Sequence, residues 1–216
     1  VCQTDKPDSS LAKHIERAGY HATLLTDDQQ ILAHPLASDF GDQISVAQES
    51  PGQLAESVEE TQFGQLTLAV IEWLVETNVQ ESPEPGLLWI HANGMNGPWD
   101  APGDVAERFR DDEDPLPYSG IVRPKTKLET NHDPDDILSV MHGYAAQVAV
   151  VDACLGSLLD AISQHKLAAD TLLIVTSPRG YPLGEHGYIG PNADDLRGET
   201  LQVPLLIRIP EQSGAC

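Results

Sequence analysis

The twenty residues Thr171–Gly190, TLLIVTSPRGYPLGEHGYIG, constrain the fold more than any other stretch. Leu172 to Val175 is a short run of apolar β-formers, the pattern of a strand buried on both faces. It stops at Ser177-Pro178-Arg179-Gly180, where proline and glycine end any ladder. Upstream, Ile137, Met141, Tyr144, Val148, Val151, Leu155, Leu158 and Ile162 follow three- and four-residue steps, which predicts a long helix with Asp135 or Asp136 as its cap. Downstream, Val203–Ile209 is a second apolar run. Helix, strand, Gly-rich loop and strand in succession imply an α/β domain with a mostly parallel central sheet. Ligands of such sheets bind beyond the carboxyl ends of the strands, so a site is expected along Ser177–Gly190.

The rest of the chain supplies more of the same units. Ser9 and Ser10 can cap a first helix, Leu11–Ala18, which Gly19 ends, and Tyr20–Leu25 reads as a strand. Phe40–Val46 is a second short strand. Leu66, Ala69, Val70, Trp73 and Leu74 form the apolar stripe of a helix running from Gln62 to about Thr77. Leu87–His91 reads as a buried strand of the central sheet, leading into a loop that carries Asn96. Residues 103–135 read as an irregular acidic insertion, with Asp111-Asp112-Glu113-Asp114 as a solvated run that lacks the spacing of an EF-hand loop.

Charge excludes several partners. The 216 residues carry 34 Asp plus Glu against 12 Lys plus Arg, a net −22. Such a field repels nucleic acid and anionic membranes, and no uninterrupted apolar run reaches the ~20 residues of a membrane span. The three cysteines have no ligand-like spacing. Cys154 falls inside a helix-period run and reads as a small buried hydrophobe, whereas the state of Cys2 and Cys216 is left open.

The order of these motifs resembles the sulfatases of the alkaline-phosphatase superfamily. The matching pieces are the helix, Ala18-Gly19-Tyr20 and strand; the loop after His91; the helix around Tyr144–Asp152; Thr176-Ser177-x-x-Gly180; Leu183-Gly184-Glu185-His186-Gly187; and Val203-Pro204-Leu205. The resemblance implies a three-layer α/β domain, an extracytoplasmic location and sulfuric-ester hydrolysis with a calcium ion. The positions that would carry this chemistry have changed. Pro178 and Arg179 stand where the family has a metal-binding Asp and His, and neither offers a ligand atom to a cation. Thr26-Asp27-Asp28-Gln29 replaces a Gly-Lys-Trp-His segment and reads as a solvated turn. Asn96 replaces a substrate-facing His, and Gly190-Pro191 replaces Gly-Lys. The family's first strand and its formylglycine nucleophile are expected upstream of these residues.

These substitutions lead to a sulfatase-like domain, one unit over residues 1–216 and a portion of a longer chain, without catalytic activity as given and with a structural or binding role. No metal or other cofactor is expected. The alternative is a portion of an active sulfuric- or phosphoric-ester hydrolase completed upstream. The candidate ligand-binding residues are His91, Asn96, Arg179 and His186, facing a small anion or other domains of a longer polypeptide. For Arg179 the plain expectation is a surface salt bridge to one of the many carboxylates.

Overall fold

In the computed structural model, which describes residues 10–46, 53–78, 85–192 and 196–210, strand β1 (His21–Thr26) is the centre of the main sheet. Every β1 residue after His21 is buried, because the strand is flanked on both edges and covered by helices. It runs parallel to β2 (Asp42–Ser45) on one side and β3 (Gly86–His91) on the other. The register sets Leu25 opposite Ile44 and Ile90. Helix α1 (Leu11–Arg17) feeds β1; the Ser10 hydroxyl accepts from Lys13 N at 3.3 Å, and Gly19 ends the helix with φ +88°. A positive φ there is the ordinary demand for glycine at a helix C-terminus.

Helices α3 (Gln62–Asn78) and α5 (Pro134–Gln164) close one face of this sheet. Leu25 of β1, Leu66 and Val70 of α3, and Leu158 and Ile162 of α5 form one continuous core. Burying each such side chain contributes about 1.5–3 kcal/mol. A second core joins Val105 and Ala106 of α4 (Gly103–Glu107) to Ala146, Val150 and Cys154 of α5. Cys154 is a buried free thiol, and burial raises its pKa above the usual range. At 31 residues α5 is long and apolar enough to cross a membrane by length and composition, a property that the broken apolar runs of the sequence conceal. Here it is the core helix of an α/β domain.

Three sequence expectations are corrected. Asp133, not Asp135 or Asp136, caps α5: its carboxylate accepts from Asp135 N at 3.1 Å, which leaves Pro134 in the first turn, where its missing N–H costs nothing. Second, β5 (Leu173–Thr176) and β7 (Leu205–Arg208) do not extend the parallel sheet. They pair antiparallel with each other, Ile174 opposite Ile207, and no ladder joins them to β3 among the described residues. Neither β5 nor β3 is buried on both faces: Ile174 is 53% exposed and Trp89 43%. Apolar runs report affinity for a cover, not its presence.

The third correction is local: residues 103–135 are largely irregular and exposed, as their composition suggests, but two short elements form within them and one acid is drawn onto the core. They contain α4 and a short strand β4 (Thr126–Lys127) that pairs antiparallel with β6 (Tyr188–Ile189). Asp114, the last residue of the acidic run, docks on α5 with its carboxylate 3.3 Å from Nε2 of the buried His142. Short helices α2 (Gln29–Leu32) and α6 (Gly198–Leu201) complete the described α-helices. Cys2, Ser9 and Cys216 lie outside the described residues.

Candidate anion site at the strand ends

Sequence proximity brings Asn96 to the end of β3 and Arg179 to the end of β5, and the fold brings the two loops together. Arg179 Nη2 lies 2.5 Å from Asn96 Oδ1. The same oxygen accepts a very short hydrogen bond from Arg123 Nη1, so two guanidiniums converge on one neutral amide. Among the described residues neither arginine pairs with a carboxylate, contrary to the salt bridge expected for Arg179. Two cations drawn together without a counter-charge repel one another, and in a chain of net −22 this is an unusual place to leave positive charge unneutralised.

The loops that carry these residues are welded by aromatic rings. Trp99, 2% exposed, follows Asn96; its ring packs on Tyr118, on Tyr144 of α5 and on Tyr181 of the β5 loop, with centroids 6.0, 6.0 and 5.3 Å away. Tyr144 and Tyr181 stack at 5.7 Å. The Tyr181 hydroxyl donates to the carbonyl of Pro124, the residue after Arg123. Burial pushes the Tyr181 phenol up to about 12, against the opposing pull of the Arg123 cation. Trp99, Tyr118 and Tyr181 thus each anchor one of the three segments that meet at Asn96, and Tyr144 ties them to α5. Arg123 went unrecognised in the sequence because nothing periodic links it to the strands; the single signal is its place in Arg123-Pro-Lys-Thr-Lys127, a cationic stretch in an acidic chain.

Glycine makes the crossing possible. A Cβ on Gly180 would come within 1.9 Å of the Glu199 carbonyl, so only glycine lets the β5 loop pass α6, where Gly180 N donates to Thr200 O at 2.9 Å. Ser177 Oγ donates to Arg179 O at 2.7 Å and fixes the turn. Beside Arg123, Lys125 and Lys127 line a cleft of about 600 Å³ with Tyr118, His132 and Ile189.

Behind the loops, a buried carboxylate replaces the expected solvated turn. Asp27, at the end of β1, is 7% exposed and accepts from Asn93 N at 2.7 Å and from Gln62 Nε2 at 3.1 Å, tying the β3 loop to the start of α3. Asp100 accepts from Gln62 N at 2.7 Å, and burial raises its pKa although that N–H pulls the other way.

The remaining candidates make no described contact with the arginine pair. The main-chain carbonyl of His91 accepts from Thr26 Oγ1 at 2.7 Å, which locks β3 to β1. His186 occupies a left-handed conformation, φ 55°, with its Nε2 3.6 Å from Glu199. Glu185 accepts from Leu183 N at 2.6 Å and holds the same loop. The donor set at Pro178–Arg179 does not fit the divalent cation that the family implies: proline supplies no side-chain ligand, and the guanidinium is a donor only. Among the described residues no three His, Cys, Asp or Glu side chains gather as a metal-binding group.

Comparison with known proteins agrees with this architecture. The chain is similar to the C-terminal periplasmic domain of EcEptC from Escherichia coli (TM-score 0.66, 17% identity), covering 94% of this chain and 52% of that one. The phosphonate monoester hydrolase of Agrobacterium radiobacter gives a TM-score of 0.61 at 18% identity, over 93% of this chain and 52% of the other. Likenesses at such identity show the fold. Among curated proteins, an N-acetylglucosamine-6-O-sulfatase of Bacteroides thetaiotaomicron is 34% identical over 71 residues, 33% of this chain and 12% of that protein. An endo-4-O-sulfatase of the same organism is 25% identical over 136 residues, 62% of this chain and 26% of that protein. The chain therefore spans about half the length of the structural relatives and about a quarter or less of the curated ones. The family model for sulfatases matches residues 3–215, and with the parallel sheet and the strand-end loops in place, the chain belongs to the sulfatase family.

Proposed function

We propose that this chain is a sulfatase-family scaffold that holds a sulfate- or phosphate-type oxyanion between Arg123 and Arg179 without hydrolysing it. The observation that supports this reading is the convergence of both guanidiniums on Asn96 Oδ1 with no described carboxylate between them. A tetrahedral oxyanion relieves their repulsion and accepts forked hydrogen bonds from both, the geometry for which arginine is suited. Lys125 and Lys127 on the neighbouring cleft extend the favourable potential toward whatever group the anion is attached to. Hydrolysis needs an oxygen nucleophile, a Lewis acid on the ester and a proton donor for the leaving group. Arginines bind and orient; at neutral pH they neither attack nor transfer a proton. The acidic surface disfavours nucleic acid, and α5 serves the core of an α/β domain rather than a membrane. An extracytoplasmic location is the reading in keeping with the periplasmic relative.

Assays with nitrophenyl sulfate and nitrophenyl phosphate, with calcium, magnesium or zinc added, test the absence of turnover. Rates at background are expected. Turnover abolished by Arg179→Ala or His186→Ala would overturn the reading.

A second reading is favoured by the span of about half of the structural relatives. In it these residues are a portion of an active sulfuric- or phosphoric-ester hydrolase whose nucleophile and metal ligands lie upstream. Activity that appears only when upstream sequence is added would support it.

A further inference from the structure

We infer that Tyr118 and Tyr181 are positioning residues: their hydroxyls grip the main chain on either side of Arg123 and hold its guanidinium beside Arg179 for an anion. The inference rests on the anion reading above and adds to it the residues that set the spacing of its two cations. Arg123 lies in residues 115–125, which form neither helix nor strand. No ladder fixes it. The apolar residue before it gives no anchor either, since Val122 is 79% exposed.

This stretch is held instead through its carbonyls, each taken by one donor. The Tyr118 hydroxyl donates to Val122 O at 2.6 Å, and the Tyr181 hydroxyl donates to Pro124 O. Trp99 N donates to Ile121 O at 2.8 Å. The carbonyls immediately before and after Arg123 are thus both held by phenols, and both phenol rings pack on Trp99. Tyr118 is tied in turn to α5, its N–H donating to Ser139 O at 2.9 Å. Tyr181 follows Arg179 by two residues, so one side chain links the backbone of the first cation to that of the second.

Glycine admits both contacts. A Cβ on Gly120 would collide with the Tyr118 ring, and one on Gly190 would lie 2.6 Å from the Pro124 carbonyl. Phenylalanine at either position would satisfy the packing on Trp99, so the hydroxyls serve the Arg123 segment rather than the aromatic cluster. An arginine whose backbone is already fixed loses less freedom when it binds, and the clamp favours affinity by that preorganisation.

Tyr118→Phe and Tyr181→Phe keep the rings and remove only the hydroxyls. Each should lower the melting temperature by no more than about 4 °C, the scale of one lost hydrogen bond in a chain of this size. Together they should weaken sulfate binding about tenfold in isothermal titration, the scale of a lost charge-assisted hydrogen bond. In an Arg123→Ala background the same two changes should weaken it no further, which a loosening of the whole domain would not reproduce. Tyr20→Phe, just before β1, is the control and should alter neither readout.

The second arm needs no anion. NMR of the Arg123 guanidinium N–H groups, assigned against Arg123→Ala, should show slow side-chain rotation in the parent and fast averaging in the double phenylalanine variant. A parent that binds no sulfate while these signals respond in this way would remove the anion reading and leave the clamp standing. Arg123 signals unchanged by loss of both hydroxyls would overturn the proposal. So would an affinity loss that persists in the Arg123→Ala background.

Discussion

Arg179 reaches across from the β5 loop to Asn96 in the β3 loop, closing to 2.5 Å on an oxygen that Arg123 also holds. This one shared acceptor ties together the ends of two strands and the stretch between α4 and α5. A neutral amide between two cations is also the simplest place to supply a counter-charge. Asn96→Asp is expected to stabilise the fold by up to about 1 kcal/mol, the range of an exposed ion pair, and to remove anion binding because the carboxylate occupies the site. Denaturant unfolding with and without sulfate checks both. A destabilised variant that still binds sulfate would contradict the arrangement.

The aromatic weld should be the costliest element of the site to break. Trp99 is 2% exposed and touches three tyrosine rings, so Trp99→Ala is expected to cost about 3–5 kcal/mol in urea unfolding. Trp99→Phe keeps much of the ring contact and should lose less than half of that. Equal losses for the two would show that ring packing is not what matters there.

Asp100 gives a pH dependence of known sign. Burial raises its carboxyl above the ordinary value of 3.8, so the folded protein holds the proton more tightly than the unfolded chain does. The stability this contributes is complete below 3.8 and is lost as pH rises through the folded value. Asp100→Asn keeps an acceptor for Gln62 N but cannot ionise. The midpoint of the variant relative to the parent should therefore rise between pH 4 and pH 7. A constant or falling difference would contradict the assignment.

Most of the framework was legible in the residues. The 3.6-residue period of Ile137–Ile162 marked α5, and the pairing of Ala18-Gly19-Tyr20 with an apolar run marked β1, because helix and strand periodicities are local properties. Partnership is not local. Nothing in Leu172–Val175 says that β5 pairs antiparallel with β7 rather than joining the parallel sheet among the described residues, since the same apolar run suits an exposed ribbon and a covered strand. Asn96 and Arg179 were legible as substitutions at strand ends, but their bond spans 83 positions. Arg123 was not legible, because Trp99, Tyr118 and Tyr181 have to pack before it faces Asn96. Asp27 read as a solvated turn since a carboxylate beside another carboxylate usually is one; its burial depends on donors from Asn93 and Gln62, distant in the chain.

The position that binds a metal in the family offers a separate test. Calorimetry with calcium and magnesium should show no micromolar binding through residues 177–180, where Pro178 and Arg179 supply no ligand oxygens. Pro178→Asp with Arg179→His restores donors, and any gain in that variant alone locates the defect. Micromolar binding by the unmutated chain, lost on altering these residues, would contradict the donor argument. Weak uptake by the acidic surface carries no weight, as it survives every change in the loop.

Isothermal titration of the chain with sodium sulfate at low ionic strength tests the central claim most directly. The account predicts saturable, one-to-one binding that weakens with added sodium chloride. It also predicts that Arg123→Ala and Arg179→Ala each reduce affinity at least tenfold, about 1.4 kcal/mol, the scale of a lost charge-assisted hydrogen bond. No saturable heat from the parent chain, or unchanged affinity in both variants, would contradict it.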